Sequence, residues 1–237
     1  MQRTRLRRGL AVVVGRAKIL RLPWWLDGTA VPLTQSLGDA GSNRMMKRII
    51  YTGKREIRTF VDLHRGARFF IWKAEREAEG SYYTTMGALL LTAFTFEAYL
   101  NHLGEKRLKF WAEIESIRVM DKYLVLCKDL GIAPDFSRRP YQTLKSLFKF
   151  RNAIAHGRSQ IVEETKEVAS VRGTYENLQE RIPKAKWEEY CTLENARRAI
   201  QDVEEIITEM HEKAGLGDYP FISGVTIGAF TLKSDKP

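Results

Sequence analysis

Apolar residues recur at helical spacing through most of the chain. From Glu56 to Glu79 the set Ile57, Phe60, Val61, His64, Ala67, Ile71 and Ala74 marks one face of a helix, and Gly80 stops it. Ser81 to Thr85 reads as a short break. Met86 to Leu103 is apolar almost all round, which places it at the centre of the fold, with Gly104 at its end. Glu105 to Leu130 follows as one long amphipathic helix carrying Leu108, Trp111, Met120, Leu124 and Cys127, closed by Gly131. Pro134 to Pro140 is a polar connection. Tyr141 to Ala155 is helical with Leu144, Leu147, Phe148 and Ile154 inward, and Gly157 stands where a C-cap is expected. Ile161 to Tyr190 is charged, poorly periodic and broken by Gly173 and Pro183, an insertion before the last helix. That helix, Glu194 to Ala214, carries Ala196, Ile200, Val203, Ile207 and Met210 and is closed by Gly215. Phe221 to Leu232 is rich in β-formers and reads as a terminal strand or extended arm.

The expected fold is therefore all-α: an up-and-down helical bundle over residues 45–214, with an insertion at about 161–190 and an extended tail over 215–237. Residues 22–44, with Pro23, Pro32, Gly28, Gly38 and Gly41, read as linker. Met45-Met46 opens the regular part, and a natural start there would make everything upstream peripheral.

Charge changes the picture only at the N-terminus. The chain has 237 residues and a formal net charge of +10, from 39 basic and 29 acidic side chains. Seven of the basic residues and none of the acidic ones lie in residues 1–25, so the body is close to balance. A basic arm of this kind attracts nucleic acid or anionic lipid nonspecifically. Its apolar run, Leu10–Val14, is too short for a secretory signal, although an arginine-rich, acid-free composition is also that of organellar transit peptides. The longest nearly apolar stretch, Met86–Phe96, is too short to span a bilayer, so no integral membrane association is expected. Two cysteines, Cys127 and Cys191, exclude a disulfide scaffold and a cysteine-rich zinc module, and a reducing, cytoplasmic setting is expected.

The chain has no phosphate loop, dinucleotide fingerprint or metal-binding motif, and its four histidines are scattered. No cofactor and no metal are called for. His64 on an apolar face reads as a satisfied core histidine and His102 as a surface or cap residue. The five tryptophans show no stacking platform. What remains is Lys149-Phe150-Arg151-Asn152-Ala153-Ile154-Ala155-His156-Gly157. At about 100° per residue, Asn152 and His156 share a helix face, whereas Arg151 and His156 stand about 140° and roughly 7.5 Å apart. One straight helix does not aim both at a single atom. A joint site needs two copies of the helix, or a last turn that unwinds. The plain structural reading is that both cations close a helix C-terminus, where positive charge is favoured. Glu97, alone in an apolar helix, needs a partner in any case, because a buried unpaired carboxylate is costly.

Arg151-Asn152-Ala153-Ile154-Ala155-His156 resembles the R-x(4–6)-H motif, in its R-N-x-x-x-H form, of the HEPN family of helical domains. Leu144–Phe148, Gly157 and the helix Ala88–Leu100 with its lone glutamate resemble that family too, over roughly residues 56–158 and 194–214. The resemblance implies a homodimer with its site at the interface, and a metal-independent endoribonuclease of a toxin–antitoxin or antiphage system, with an antitoxin or defence protein as partner. On this reading RNA is the substrate, and its 2′-hydroxyl attacks the adjacent phosphate to leave a 2′,3′-cyclic phosphate and a 5′-hydroxyl. His156, of a residue type that titrates near neutrality, would act as general base or acid. Arg151 would hold the nonbridging oxygens, Asn152 would orient His156 or the phosphate, and Glu97 would position Arg151. Lys149 and Arg158 would contact flanking phosphates. In family members controlled by a nucleotidyltransferase antitoxin, a tyrosine follows the motif histidine by two positions. Arg158 stands there in this chain, so that route of control is not implied. The resemblance also admits a noncatalytic module that dimerises or binds RNA or protein. The near-neutral body favours that module, since a nuclease tracking RNA presents a basic groove.

Overall fold

The computed structural model describes residues 49–165, 182–217, 219–224 and 226–232. The basic arm and linker, most of the insertion and the last five residues lie outside the described residues.

Among the described residues, seven helices and one two-stranded ribbon form in the order β1 (Ile49–Arg55), α1 (Thr59–Arg76), α2 (Ser81–Arg107), α3 (Trp111–Ile114), α4 (Val119–Leu130), α5 (Tyr141–Ala155), α6 (Lys186–Tyr190), α7 (Leu193–Lys213) and β2 (Thr226–Leu232). The fold is all-α with a short C-terminal strand. α2 is the central element and packs against α1, α3, α4, α5 and α7. Its Leu89, Phe96, Tyr99, Leu100 and Leu103 are fully buried, together with Ala67 of α1, Tyr123 and Leu126 of α4, Leu144 and Leu147 of α5, and Val203, Ile206, Ile207 and Met210 of α7. The near-uniform apolarity of α2 thus reflects burial on several sides at once.

Five features differ from the sequence expectation. Ser81–Thr85 is the first turn of α2 rather than a break, because Gly80 at φ +70° turns the chain there and leaves Ser81 free to start a helix. Gly104 lies inside α2 instead of ending it. A Cβ at this position would collide with the Trp111 ring, so the glycine lets the indole lie against the helix. That seating of Trp111 folds the chain back after Leu108, and the long helix expected over Glu105–Leu130 is divided into α3 and α4. Residues 186–190, assigned to the insertion, form α6. The C-cap of α5 is His156 rather than Gly157.

Gly104→Val therefore pushes the Trp111 ring out of its seat. Overpacking of this kind costs about 2–3 kcal/mol, or about 5–10 °C in melting temperature for a chain of this size, measurable by thermal unfolding.

The Phe221–Leu232 segment supplies the expected strand. It pairs antiparallel with β1, a strand not anticipated in the sequence, in the register Ile49↔Leu232 to Arg55↔Thr226. The 134–140 connection is tied to α7 by Arg139, whose guanidinium grips the buried Asp202 carboxylate at 2.5–3.1 Å. Thr143 donates to the same carboxylate. No helix among the described residues is long and apolar enough to cross a membrane.

Candidate active site

The four histidines fall into two kinds. His64 is buried, with Nε2 2.5 Å from Oε1 of Glu204 and its ring stacked on Phe221 at 4.0 Å, so it is a satisfied core histidine. His211 is buried, its Nδ1 3.3 Å from the Tyr99 hydroxyl, and burial holds its pKa below the usual value. His102 is not the surface or cap residue expected. It is half-buried inside α2 against Phe60, ring centroids 5.0 Å apart, and burial, then Lys106 and Arg58, lower its pKa to about 4. His156 alone of the four is exposed, and it faces an open groove.

The depressed His102 value has a sign that can be measured. The neutral ring is favoured in the folded state, so its contribution is complete above the ordinary value of 6.5 and is lost as pH falls towards 4. His102→Gln removes that part of the slope, up to about 3 kcal/mol between those limits, which denaturant titrations at pH 7 and pH 4.5 would read.

The groove, of about 680 Å³, lies between the N-terminal end of α4 with the loop before it, residues 116–121, and one face of α5. Glu97 of α2 reaches it from below. Of the six residues singled out in the sequence, Glu97, Lys149, Arg151, Asn152 and His156 line it. Arg158, exposed two residues past the α5 cap, does not. A second groove, of about 650 Å³, runs between α5 and α6 and shares only Lys149 with this set.

Arg151 is held tightly. Its Nη2 donates to Oε2 of Glu97 at 2.7 Å and its Nη1 to Oδ1 of Asn152 at 3.1 Å, and the guanidinium lies over the Phe94 ring at 5.6 Å. The partner that Glu97 needs is therefore Arg151, supplied by a different helix. The Nε of Arg151 is buried without an acceptor, a condition that costs about 1–3 kcal/mol for a polar group.

His156 leaves the helix. Its φ of −114° and ψ of 25° lie outside the α range, while its backbone N–H still donates to the Asn152 carbonyl at 3.0 Å. His156 is thus the cap residue at which α5 ends, and it and Arg151, which a straight helix would aim about 140° apart, both line the groove.

The charge of the groove is not that of the body. Arg118, Lys145, Lys149 and Arg151 line it against Glu97 and Asp121. Both acids are already engaged, Asp121 with Arg118 at 2.7 Å and Glu97 with Arg151, so a positive excess faces whatever enters. The near balance of the body conceals this local excess.

Lys122 and Asn101 belong to the same cluster and were not singled out in the sequence. Lys122 Nζ lies 2.9 Å from Oδ1 of Asn101 and 3.8 Å from Oε1 of Glu97. Among the described residues no three His, Cys, Asp or Glu side chains are grouped so as to hold a metal ion. Both cysteines are free and buried, and burial pushes each thiol up to about 11.

No protein family model, no curated protein and no solved structure matches the chain.

Proposed function

We propose that this chain is a HEPN-type endoribonuclease that cleaves RNA without a metal ion. The observation that carries the reading is Arg151, restrained by Glu97 and Asn152, in a groove of positive excess that an exposed histidine also lines.

In that reaction the 2′-oxygen attacks the adjacent phosphorus, the P–O5′ bond breaks, and no water is consumed. The proton leaves the 2′-hydroxyl and a proton reaches the departing O5′. His156 takes the first or gives the second. Arg151 faces the nonbridging oxygens, where charge grows in the phosphorane, and a donor already fixed by Glu97 and Asn152 needs no rearrangement to stabilise it. Lys145 and Lys149 hold neighbouring phosphates. One histidine cannot be base and acid in the same step, and a homodimer with two facing grooves would supply the second. The cellular setting, cytoplasmic toxin–antitoxin or antiphage defence with an antitoxin or defence partner, rests on the resemblance alone.

The noncatalytic module remains the second reading. It is favoured by one observation: among the described residues no hydrogen bond fixes the His156 ring.

The test uses an RNA oligonucleotide that the protein cleaves at one position, beside the same strand with a single 2′-deoxy sugar there. Cleavage of the first and none of the second is expected. Equal cleavage of both would remove the 2′-hydroxyl from the reaction, and with it this mechanism.

A further inference from the structure

Beneath the groove, and not lining it, lies a buried cation. The Lys122 side chain on α4 is 3% exposed. Its ammonium meets two side chains one turn apart on α2, Asn101 and Glu97, each through a single oxygen. Glu97 is thereby bracketed, with Lys122 at Oε1 and Arg151 at Oε2. Three helices meet in this chain of contacts, α4 through Lys122, α2 through Glu97 and Asn101, and α5 through Arg151 and Asn152.

We propose that Lys122 is a positioning residue of the RNA-cleaving site, acting on Arg151 through Glu97. This rests on the function proposed above. Two physical effects carry it. A carboxylate paired on one oxygen only has more freedom to turn, and the guanidinium with it, whereas a second cation 3.8 Å from the other oxygen restrains it further. Displacements of about 1 Å at a reacting centre cost about 100-fold in rate. The second effect is charge. Arg151 and Glu97 alone form a neutral pair, which offers little field to a phosphate. Lys122 takes part of the carboxylate charge, so the three groups together carry one positive charge and the field of Arg151 reaches the groove.

A lysine kept for packing alone would behave differently. Replacing a buried ion by an apolar residue of similar volume is often neutral or stabilising when its partner keeps another charge. Lys122→Met leaves Glu97 paired with Arg151 and fills the same space. It is therefore expected to fold, with a melting temperature close to that of wild type. Its kcat is expected to fall about 10–100-fold with KM changed less than about threefold, because the charge on the phosphate grows in the transition state.

The experiment is a double-mutant cycle read by kcat, KM and melting temperature on single-stranded RNA, using Lys122→Met, Glu97→Gln and both together, with Lys122→Arg as the conservative variant. Lys122→Arg should recover most of the rate. The double variant should be no slower than the worse of the two single variants, since both act through Arg151. Lys122→Met with the wild-type kcat, or single losses that multiply in the double variant, would overturn the proposal. Should Lys122→Met not fold, Asn101→Leu removes the other anchor of the ammonium. A wild-type kcat there has the same overturning force, and a loss non-additive with Glu97→Gln supports the proposal. Wild-type protein that cleaves no RNA defeats the underlying function, whereas active wild type with an unaffected Lys122→Met defeats this inference alone.

Discussion

Alanine in place of His156 is expected to lower RNA cleavage by about 10²–10⁴-fold while stability changes by less than about 1 kcal/mol. The side chain is exposed at the α5 cap and buries no contact, so little of the fold depends on it. The same position defines its rival role. A cation at a helix C-terminus adds about 0.3–1 kcal/mol through the helix dipole. If His156 only caps α5, the alanine variant loses at most that increment and keeps whatever activity wild type has. Rate and melting curve measured on one preparation therefore separate proton transfer from capping. His64, buried and paired with Glu204, gives the opposite pattern when replaced: a large stability loss and an unchanged rate per folded molecule.

Arg151→Ala and Arg151→Lys are both expected to lose about 10²–10³-fold in kcat. A lysine keeps the charge but not the fork. Donating to Glu97 and Asn152, the contacts that fix the guanidinium, would leave it one N–H in place of the planar fork. Stability should fall modestly, by about 1–2 kcal/mol, because Glu97 keeps Lys122 beside it and is a quarter exposed. A lysine variant with near-wild-type kcat would mean that Arg151 acts only as a diffuse charge, and the geometric argument for its role would fail.

Where periodicity was strong, the sequence announced the fold. α5 occupies Tyr141–Ala155 as expected, and α7 starts and ends within one residue of its expected limits. Two of the missed features depend on residues away from the position itself. Gly104 reads as a stop only if Trp111 is ignored, and nothing in the local sequence says that an indole will lie against it. β1 carries Gly53, Lys54 and Arg55 and becomes a strand only beside a partner that begins at Thr226.

The site was legible to the same degree. The Arg151–His156 spacing drew attention to α5, and the isolation of Glu97 in an apolar helix required a partner for it. That both residues line one groove depends on how the loop before α4 and the end of α5 meet, which helical spacing alone does not give. Lys122 was invisible because its partners lie 21 and 25 positions upstream on another helix, and because a lysine on an amphipathic helix ordinarily faces water. The basic excess of the groove was hidden for a related reason, since a count along the chain averages over faces that folding separates.

The reaction itself is tested most directly by its products. Purified wild-type protein is incubated with single-stranded RNA in excess EDTA, and the new ends are identified chemically. The account predicts cleavage that persists in EDTA and leaves 2′,3′-cyclic phosphate and 5′-hydroxyl ends. Cleavage abolished by EDTA, or ends bearing a 5′-phosphate, would contradict it.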